Sequence, residues 1–208
     1  GRHRRGRILL RFTGLISHRG EFRGYREGRR ALALACPELE GRLETGGSLA
    51  VNGVCLTLAG AAKGEWRFDL ARETLARTTL GRLRPGDRLN LELPLTLAAP
   101  LGGHLVSGHV DGVGKVLRLS ARPPGKRLAL SFPAPLRPYL VVKGSVAVDG
   151  VSLTVAAIGP AALEVELVPL TLAGTNLGGL RPGAAVNLEC DMVGKYVYNF
   201  VSRTTRTR

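Results

Sequence analysis

Cys55 and Ser152 stand at matching places in two versions of one short pattern, VNGVCLT (51–57) and VDGVSLT (148–154). Each supplies a group of nucleophilic or acid–base type, a thiol in one copy and a hydroxyl in the other. A second pair of segments, Phe12-Thr13-Gly14-Leu15 and Val106-Ser107-Gly108-His109, matches in the same way, with an imidazole where the first copy has an aliphatic side chain. Asn52 corresponds to Asp149, and Arg72-Glu73 to Pro169-Leu170. Other polar positions are held in common, Thr57 with Thr154 and Thr74 with Thr171. Threonines at such places often satisfy only strand and turn hydrogen bonds. Here they recur beside glycines that let a ligand approach the backbone. Similar ligands meeting different acid–base groups would suit a reaction in which two like molecules play unlike roles. A lone histidine is more often structural than catalytic, so His109 alone does not decide the matter.

Patterns with other known chemistry fail on inspection. GHVDGVGKV around Gly114-Lys115 resembles a phosphate loop, but its glycine spacing is wrong and Val116 stands where a magnesium-binding Ser or Thr is needed. His104 and His109 lie on opposite faces of any strand that holds both, which does not suit a shared metal. Three cysteines (Cys36, Cys55, Cys190) without a ligand pattern argue against zinc or a disulfide framework and for a reducing cytoplasm. No apolar run is long enough to span a bilayer and no secretory signal is visible, so no membrane association is expected. The net charge of +14 raises the question of nucleic acid. Its arginines crowd the two ends (GRHRRGR and RTTRTR) or lie scattered in turns, as Arg29, Arg30, Arg82 and Arg84 do, with no aromatic-rich basic strand beside them. A solvated basic surface is the plainer reading, and no nucleic-acid partner is expected. Residues 1–11 read as a disordered basic arm, and residues 1–10 also fit the remnant of a targeting peptide or an artefact of start-site choice.

The matched pieces belong to a long internal repeat. Gly47–Ala59 reappears as Gly144–Ala156, and Phe68–Glu92 as Val165–Glu189, at one constant offset without a gap. Two copies are too few for a solenoid, so each must be a self-sufficient domain. Alternation and turn residues predict strands over Arg30–Cys36, Ser48–Leu58, Trp66–Leu70 and Arg88–Leu93. The second copy predicts them over Val113–Leu119, Arg127–Phe132, Ser145–Val155, Leu163–Val168 and Ala185–Glu189. Short helical spacing marks Glu73–Leu80 and Leu170–Leu177, and the tail Met192–Val201 predicts an amphipathic helix suited to packing on another subunit. Many short strands with turns between them argue for closed antiparallel barrels, one per copy.

Phe12-Thr13-Gly14, VNGVCLT, GGHLVSGHVDG (102–112), KGSVAVDGVSLTV (143–155), the two RPG…NLE blocks and the Asp191…Lys195-Tyr196-Val197 tail together resemble riboflavin synthase of the α-chain type. The resemblance runs from Phe12 to about Val201. It implies an all-β fold of two tandem six-stranded antiparallel Greek-key barrels with a short C-terminal helix. The implied divisions are an arm (1–11), an N-barrel (12–104), a C-barrel (105–190) and a helix with a basic tail (191–208). It further implies a homotrimer that dismutates 6,7-dimethyl-8-ribityllumazine into riboflavin and a ribitylaminopyrimidinedione, without metal or cofactor, and lumazine synthase as an expected partner. Each active site would lie between the N-barrel of one subunit and the C-barrel of its neighbour. A lumazine-binding protein of the same fold without turnover is the alternative, but both copies keep the ligand set.

Carried over by position, the resemblance groups Gly14, Leu15 and Ile16 with Cys55, Leu56 and Thr57 and with Asp69, Leu70, Ala71, Arg72, Glu73 and Thr74 as the N-barrel pocket. It groups Gly108, His109 and Val110 with Lys143, with Ser152, Leu153 and Thr154, and with Glu166, Leu167, Val168, Pro169, Leu170 and Thr171 as the C-barrel pocket. His109 is then the candidate for proton transfer, with Cys55 and Ser152 assisting it or adding transiently to substrate. This chain departs from the family in its basic arm before Phe12, in Leu170, and in the glycine of Val193-Gly194 at the start of the last helix.

Overall fold

The computed structural model describes residues 12–96, 98 and 100–205. The predicted basic arm (1–11) and the last three residues of the basic tail lie outside the described residues. The first copy forms strands β1 (His18–Arg26), β2 (Ala31–Ala35), β3 (Ser48–Val51), β4 (Val54–Ala62) and β5 (Glu65–Asp69), a short helix α1 (Arg72–Arg77), and β6 (Arg88–Glu92). The second repeats the series as β7 (Gly112–Arg122), β8 (Gly125–Ser131), β9 (Ser145–Val148), β10 (Val151–Ile158), β11 (Ala162–Leu167), α2 (Pro169–Gly174) and β12 (Ala185–Cys190). A final helix α3 (Met192–Thr205) follows. Each set of six strands closes into an antiparallel barrel, in the order β1-β2-β5-β4-β3-β6 and its counterpart β7-β8-β11-β10-β9-β12. Closure leaves no unpaired sheet edge. Even the bulges that bend the strands recur, at Phe22/Gly24 and Val116/Arg118, and again at Leu58/Gly60 and Val155/Ala157.

Inward-facing leucines, valines and aromatics fill two separate cores, around Phe22, Leu34 and Phe68 in one barrel and Leu128, Val155 and Leu188 in the other. The alternation that fills them sends every second side chain of β4 and β10 outward. Leu56 and Leu153 are buried, whereas Cys55 and Ser152 are part-exposed and Thr57 and Thr154 exposed.

Several elements differ from the sequence expectation. The runs Ser48–Leu58 and Ser145–Val155 are each two strands, because Asn52-Gly53 (φ 45° and 77°) and Asp149-Gly150 (φ 45° and 79°) form two-residue hairpin turns that need positive φ. Strand β1 went unpredicted because HRGEFRGYR lacks apolar alternation; of its side chains only Phe22 is buried. The predicted helices Glu73–Leu80 and Leu170–Leu177 stop early. Thr78 and Thr175 accept from Leu80 N and Leu177 N and donate to the carbonyls of Thr74 and Thr171, converting the chain into a tighter 3₁₀ turn. Helix α3 runs on to Thr205, beyond the expected end at Val201. It is tied to the C-barrel by Lys195 on Asp111 (2.6 Å) and by Tyr198 edge-on to Tyr139.

The barrels meet across an approximate two-fold relation. Phe12 and Val106 exchange two backbone hydrogen bonds of 3.0 Å, and with Ala50 and Ala147 they form a small apolar cluster between the domains. Beside it, Asn90 Nδ2 donates to the Asp149 carbonyl (3.0 Å) while Asn187 Nδ2 donates to the Asn52 carbonyl (2.8 Å). The hairpin glycines Gly53 and Gly150 touch; a Cβ on either would fall within 2.8 Å of the other's backbone nitrogen.

Candidate active site

The segment Phe12–Gly14 precedes β1 but leaves its own barrel. Its Gly14 carbonyl accepts from Ser152 N on β10 (2.8 Å), and Ile16 packs on the C-barrel core. The reciprocal segment Val106–Gly108 lies against the N-barrel: the Gly108 carbonyl accepts from Cys55 N on β4 (2.8 Å), and Val110 packs on the N-barrel core. Each glycine has positive φ, 78° at Gly14 and 81° at Gly108. A Cβ there would stand 2.5 Å from the Cβ of Ser152 or of Cys55, so only glycine lets these backbones touch.

Buried carboxylates hold both segments. Glu92 Oε1 accepts from Thr13 N (2.6 Å) and Thr13 Oγ1 (2.8 Å), while Oε2 accepts from Gly14 N (3.0 Å). Glu189 treats Ser107 N, Ser107 Oγ and Gly108 N in the same way, at 2.7, 2.7 and 3.0 Å. Burial pushes both carboxyls above the usual range, and the donors around them pull back only part of that rise. These glutamates close the RPG…NLE blocks, so that motif is a clamp for the glycine segments.

Two matched outward faces result, one bearing Cys55 and Thr57 and the other Ser152 and Thr154. On the C-barrel, a cavity of about 600 Å³ is lined by Arg122, Arg127, Lys143, Ser152, Leu153, Thr154, Ala156, Glu166, Val168 and Thr171. His104 stands behind it, with Nδ1 2.6 Å from Ser152 Oγ. It is held there because His104 N donates to the Thr13 carbonyl (3.1 Å). The ring is about nine-tenths buried, its Nε2 has no protein partner, and burial lowers its pKa below 6.5 against a weaker opposing pull from Asp191. A neutral imidazole with one nitrogen committed to a hydroxyl is an arrangement for moving a proton through Ser152. Lys143 has φ 69°, where the equivalent N-barrel residue is Gly46 at φ 87°; both donate their backbone N–H to the same carbonyl position of the following hairpin, Val155 or Leu58. A lysine in a conformation that favours glycine costs about 1 kcal/mol, and here its side chain lines the cavity.

A family model described as a lumazine binding domain matches residues 13–94 and again residues 107–191. The riboflavin synthase of Mycobacterium tuberculosis is 42% identical over 196 residues, covering 89% of this chain and 96% of that protein. The Bacillus subtilis riboflavin synthase is 35% identical over 199 residues, covering 95% and 93%. The chain belongs to the riboflavin synthase family. Crystal structures of LumP with 6,7-dimethyl-8-(1'-D-ribityl) lumazine and with riboflavin share its fold at TM-scores of 0.77 and 0.80, with 23% and 22% identity, covering 86% of this chain and 98% of theirs.

For this riboflavin synthase family member, the expected grouping of site residues is corrected in one respect: the glycine segments are exchanged. Gly14, Leu15 and Ile16 lie with Ser152 and Thr154, and Gly108, His109 and Val110 lie with Cys55 and Thr57. An internal repeat shows which residues correspond, but a symmetric exchange leaves every correspondence unchanged. His109 is exposed and on the Cys55 side; Leu15, its counterpart, is exposed on the Ser152 side. Leu56, Leu70, Leu153 and Leu167 point into the cores and present only backbone to a ligand, while Asp69, Ala71, Arg72, Glu73, Glu166, Val168, Pro169 and Leu170 are exposed near α1 and α2. Thr74 and Thr171 are half-buried, each with its carbonyl engaged by the threonine four residues on. His104 was missed by sequence reasoning, which weighed it only as a metal ligand. Its place in the GGH block, where Gly103 packs against both Thr13 and Ser152, was the available signal.

Proposed function

We propose that this protein dismutates two molecules of 6,7-dimethyl-8-ribityllumazine, passing a four-carbon unit from one to the other to give riboflavin and 5-amino-6-ribitylaminouracil. The observation that carries the reading is the pair of matched outward sites, each built from a threonine-bearing strand and an exchanged glycine segment, in a chain that matches the lumazine binding domain twice. Backbone amides and threonine hydroxyls can bind the dione edge of a pteridine, and polar side chains its ribityl hydroxyls. The reaction needs a proton removed from an activated methyl group and the two rings held in reacting geometry. In the C-barrel site, Ser152 backed by neutral His104 serves as the proton relay, and Lys143 places positive charge beside the anion that loss of the methyl proton leaves on the ring. In the N-barrel site, Cys55 and exposed His109 face the second molecule.

Both sites open outward, and a dismutation brings two substrates together, so a neighbouring subunit is the natural cover. The exposed Val193, Tyr196, Val197, Phe200 and Val201 of α3 support assembly through that helix, and a homotrimer is the proposed state. Cys36, Cys55 and Cys190 form no disulfide, which fits a cytoplasmic setting. Purified protein incubated with 6,7-dimethyl-8-ribityllumazine should generate riboflavin absorbance and fluorescence. Saturable binding without riboflavin would overturn the enzymatic reading and leave a carrier of the same fold.

A further inference from the structure

The C-barrel site is flanked by a line of alternating charges; the N-barrel pairs Arg26 with Glu65 and Arg67 with Glu27, and among the described residues no such pair reaches Asp69. Arg127 on β8 donates through Nε to Glu164 Oε2 (2.7 Å) and through Nη1 to Glu166 Oε1 (2.8 Å), forking across two residues that share one face of β11. Arg118 caps Glu164 at 3.2 Å, and Arg122 reaches Glu166 Oε1 at 3.1 Å. Both arginines on Glu166 use the same oxygen, Oε1, and Glu166 lines the cavity. Arg127 is the shielded member, with its side chain 19% exposed, against 62% for Arg122 and 63% for Arg118.

Strand register identifies the N-barrel counterparts. Arg127 pairs with Glu166 as Ala31 pairs with Asp69, and Glu164 pairs with Ala129 as Arg67 pairs with Ala33. The first barrel thus has a methyl group where the second has a guanidinium, and the charge two residues before the acid is reversed. Asp69 is exposed and has no ion pair among the described residues, and Arg67 turns instead to Glu27 (2.9 Å). An isolated exposed pair contributes little to stability, but a planar fork seated on two carboxylates fixes the direction of both.

We propose that Arg127 is a positioning residue, present in the C-barrel alone, that aims the Glu166 carboxylate at a hydrogen-bond donor of the bound lumazine and makes the C-barrel the more selective of the two sites. The proposal rests on the C-barrel cavity being a lumazine site. A pre-aimed carboxylate loses less freedom on binding than the free Asp69 of the other barrel, so its donor partner is held with less entropic cost. Candidate donors are the ring N–H and the ribityl hydroxyls.

The test is a two-site titration of the full chain with 6,7-dimethyl-8-ribityllumazine, followed by fluorescence, alongside steady-state kinetics. Arg127→Ala and Glu166→Ala should each weaken one binding phase about 10-fold, the same phase, and raise KM more than they lower kcat. Asp69→Ala should weaken the other phase, and Arg67→Ala, which loses an ion pair away from the site, should change neither. Arg127→Lys, which keeps a charge for Glu166 but not the fork, should recover part of the loss. Repeating the titration with 6,7,8-trimethyllumazine separates the donors: a persisting Arg127 effect assigns the ring N–H, and a vanished one the ribityl chain. If Glu166→Ala weakens a phase while Arg127→Ala leaves it intact, the positioning role is overturned. If neither Glu166→Ala nor Ser152→Ala alters either phase, the C-barrel reading itself fails.

Discussion

The N-barrel and the C-barrel share strand order, bulges, hairpin turns and glutamate clamps, yet they offer their ligands different chemistry. Beside Ser152 stand a buried imidazole, a lysine in a glycine-favouring conformation and a carboxylate held by arginines. In the N-barrel, His109 is exposed and Asp69 has no ion pair among the described residues, with Gly46 and Ala31 in place of the lysine and the arginine. Duplication conserved what closes a barrel, because those positions serve folding in both halves. Divergence gathered on the outward faces, where side chains are free of the core and answer to the ligand. In the proposed reaction the C-barrel is the one that takes a proton and stabilises negative charge, because its polar groups are held by partners that the N-barrel counterparts lack among the described residues.

The comparison breaks most sharply at the two histidines. His104→Ala should lower kcat by about 100-fold, the usual scale for loss of a positioned proton-transfer group. His109→Ala should slow turnover less, though still more than it weakens binding. The acid limb of the wild-type kcat–pH profile should lie below 6.5, since burial lowers the His104 pKa, and should disappear in His104→Gln. Equal losses at both histidines would erase the distinction between the barrels.

At the glycine segments the barrels should instead behave alike. Gly14→Ala and Gly108→Ala each place a methyl 2.5 Å from a Cβ of the facing strand at positive φ, and each should cost about 2–4 kcal/mol. Thermal unfolding should register a drop of roughly 5–10 °C for either. A tolerated alanine would show that the exchanged segment is not closely held.

Asp149 and Asn52 differ by a single charge. Asp149 is fully buried; burial drives its pKa up to about 6 from 3.8, opposed by donation from Asn187 N and Asn176 Nδ2. An acid whose folded pKa is raised holds an extra proton in the folded state between the two values. Its contribution to stability is therefore greatest below about pH 4 and is lost as pH rises through about 6. Asp149→Asn, which installs the N-barrel residue, should stabilise the protein at pH 8 by up to ~3 kcal/mol, with the gain fading toward pH 4. Denaturant melts at the two pH values measure it, and a gain independent of pH would assign the effect to something other than this carboxyl.

The smallest expected effect is at Lys143. Replacement by the glycine found at position 46 should relieve about 1 kcal/mol of backbone strain while weakening lumazine binding. Loss of stability together with activity would mean that the lysine side chain supports the fold rather than the site.

Much of this molecule was legible in the order of its residues. The constant offset between Gly47–Ala59 and Gly144–Ala156 set out two domains, and the hydrophobic alternation of Trp66–Leu70 and Leu163–Leu167 marked core strands, because these walls bury every second side chain. Strand β1 was illegible, since its partners on both sides supply the hydrogen bonds that its own polar residues do not suggest. Asn52-Gly53 was present to be read as a turn, but the apolar run around it hid the break.

The residue types at the two sites, Cys55 with Thr57 and Ser152 with Thr154, were determined by sequence alone, as was their unequal chemistry. Tertiary structure decided which glycine segment serves which barrel, and that His104 stands behind Ser152. Both depend on contacts between residues 48 to 138 positions apart, bridged by Glu92, Glu189 and paired backbone groups across an approximate two-fold relation. A two-fold exchange leaves the repeat pattern unaltered, so no reading of one copy against the other could have revealed it.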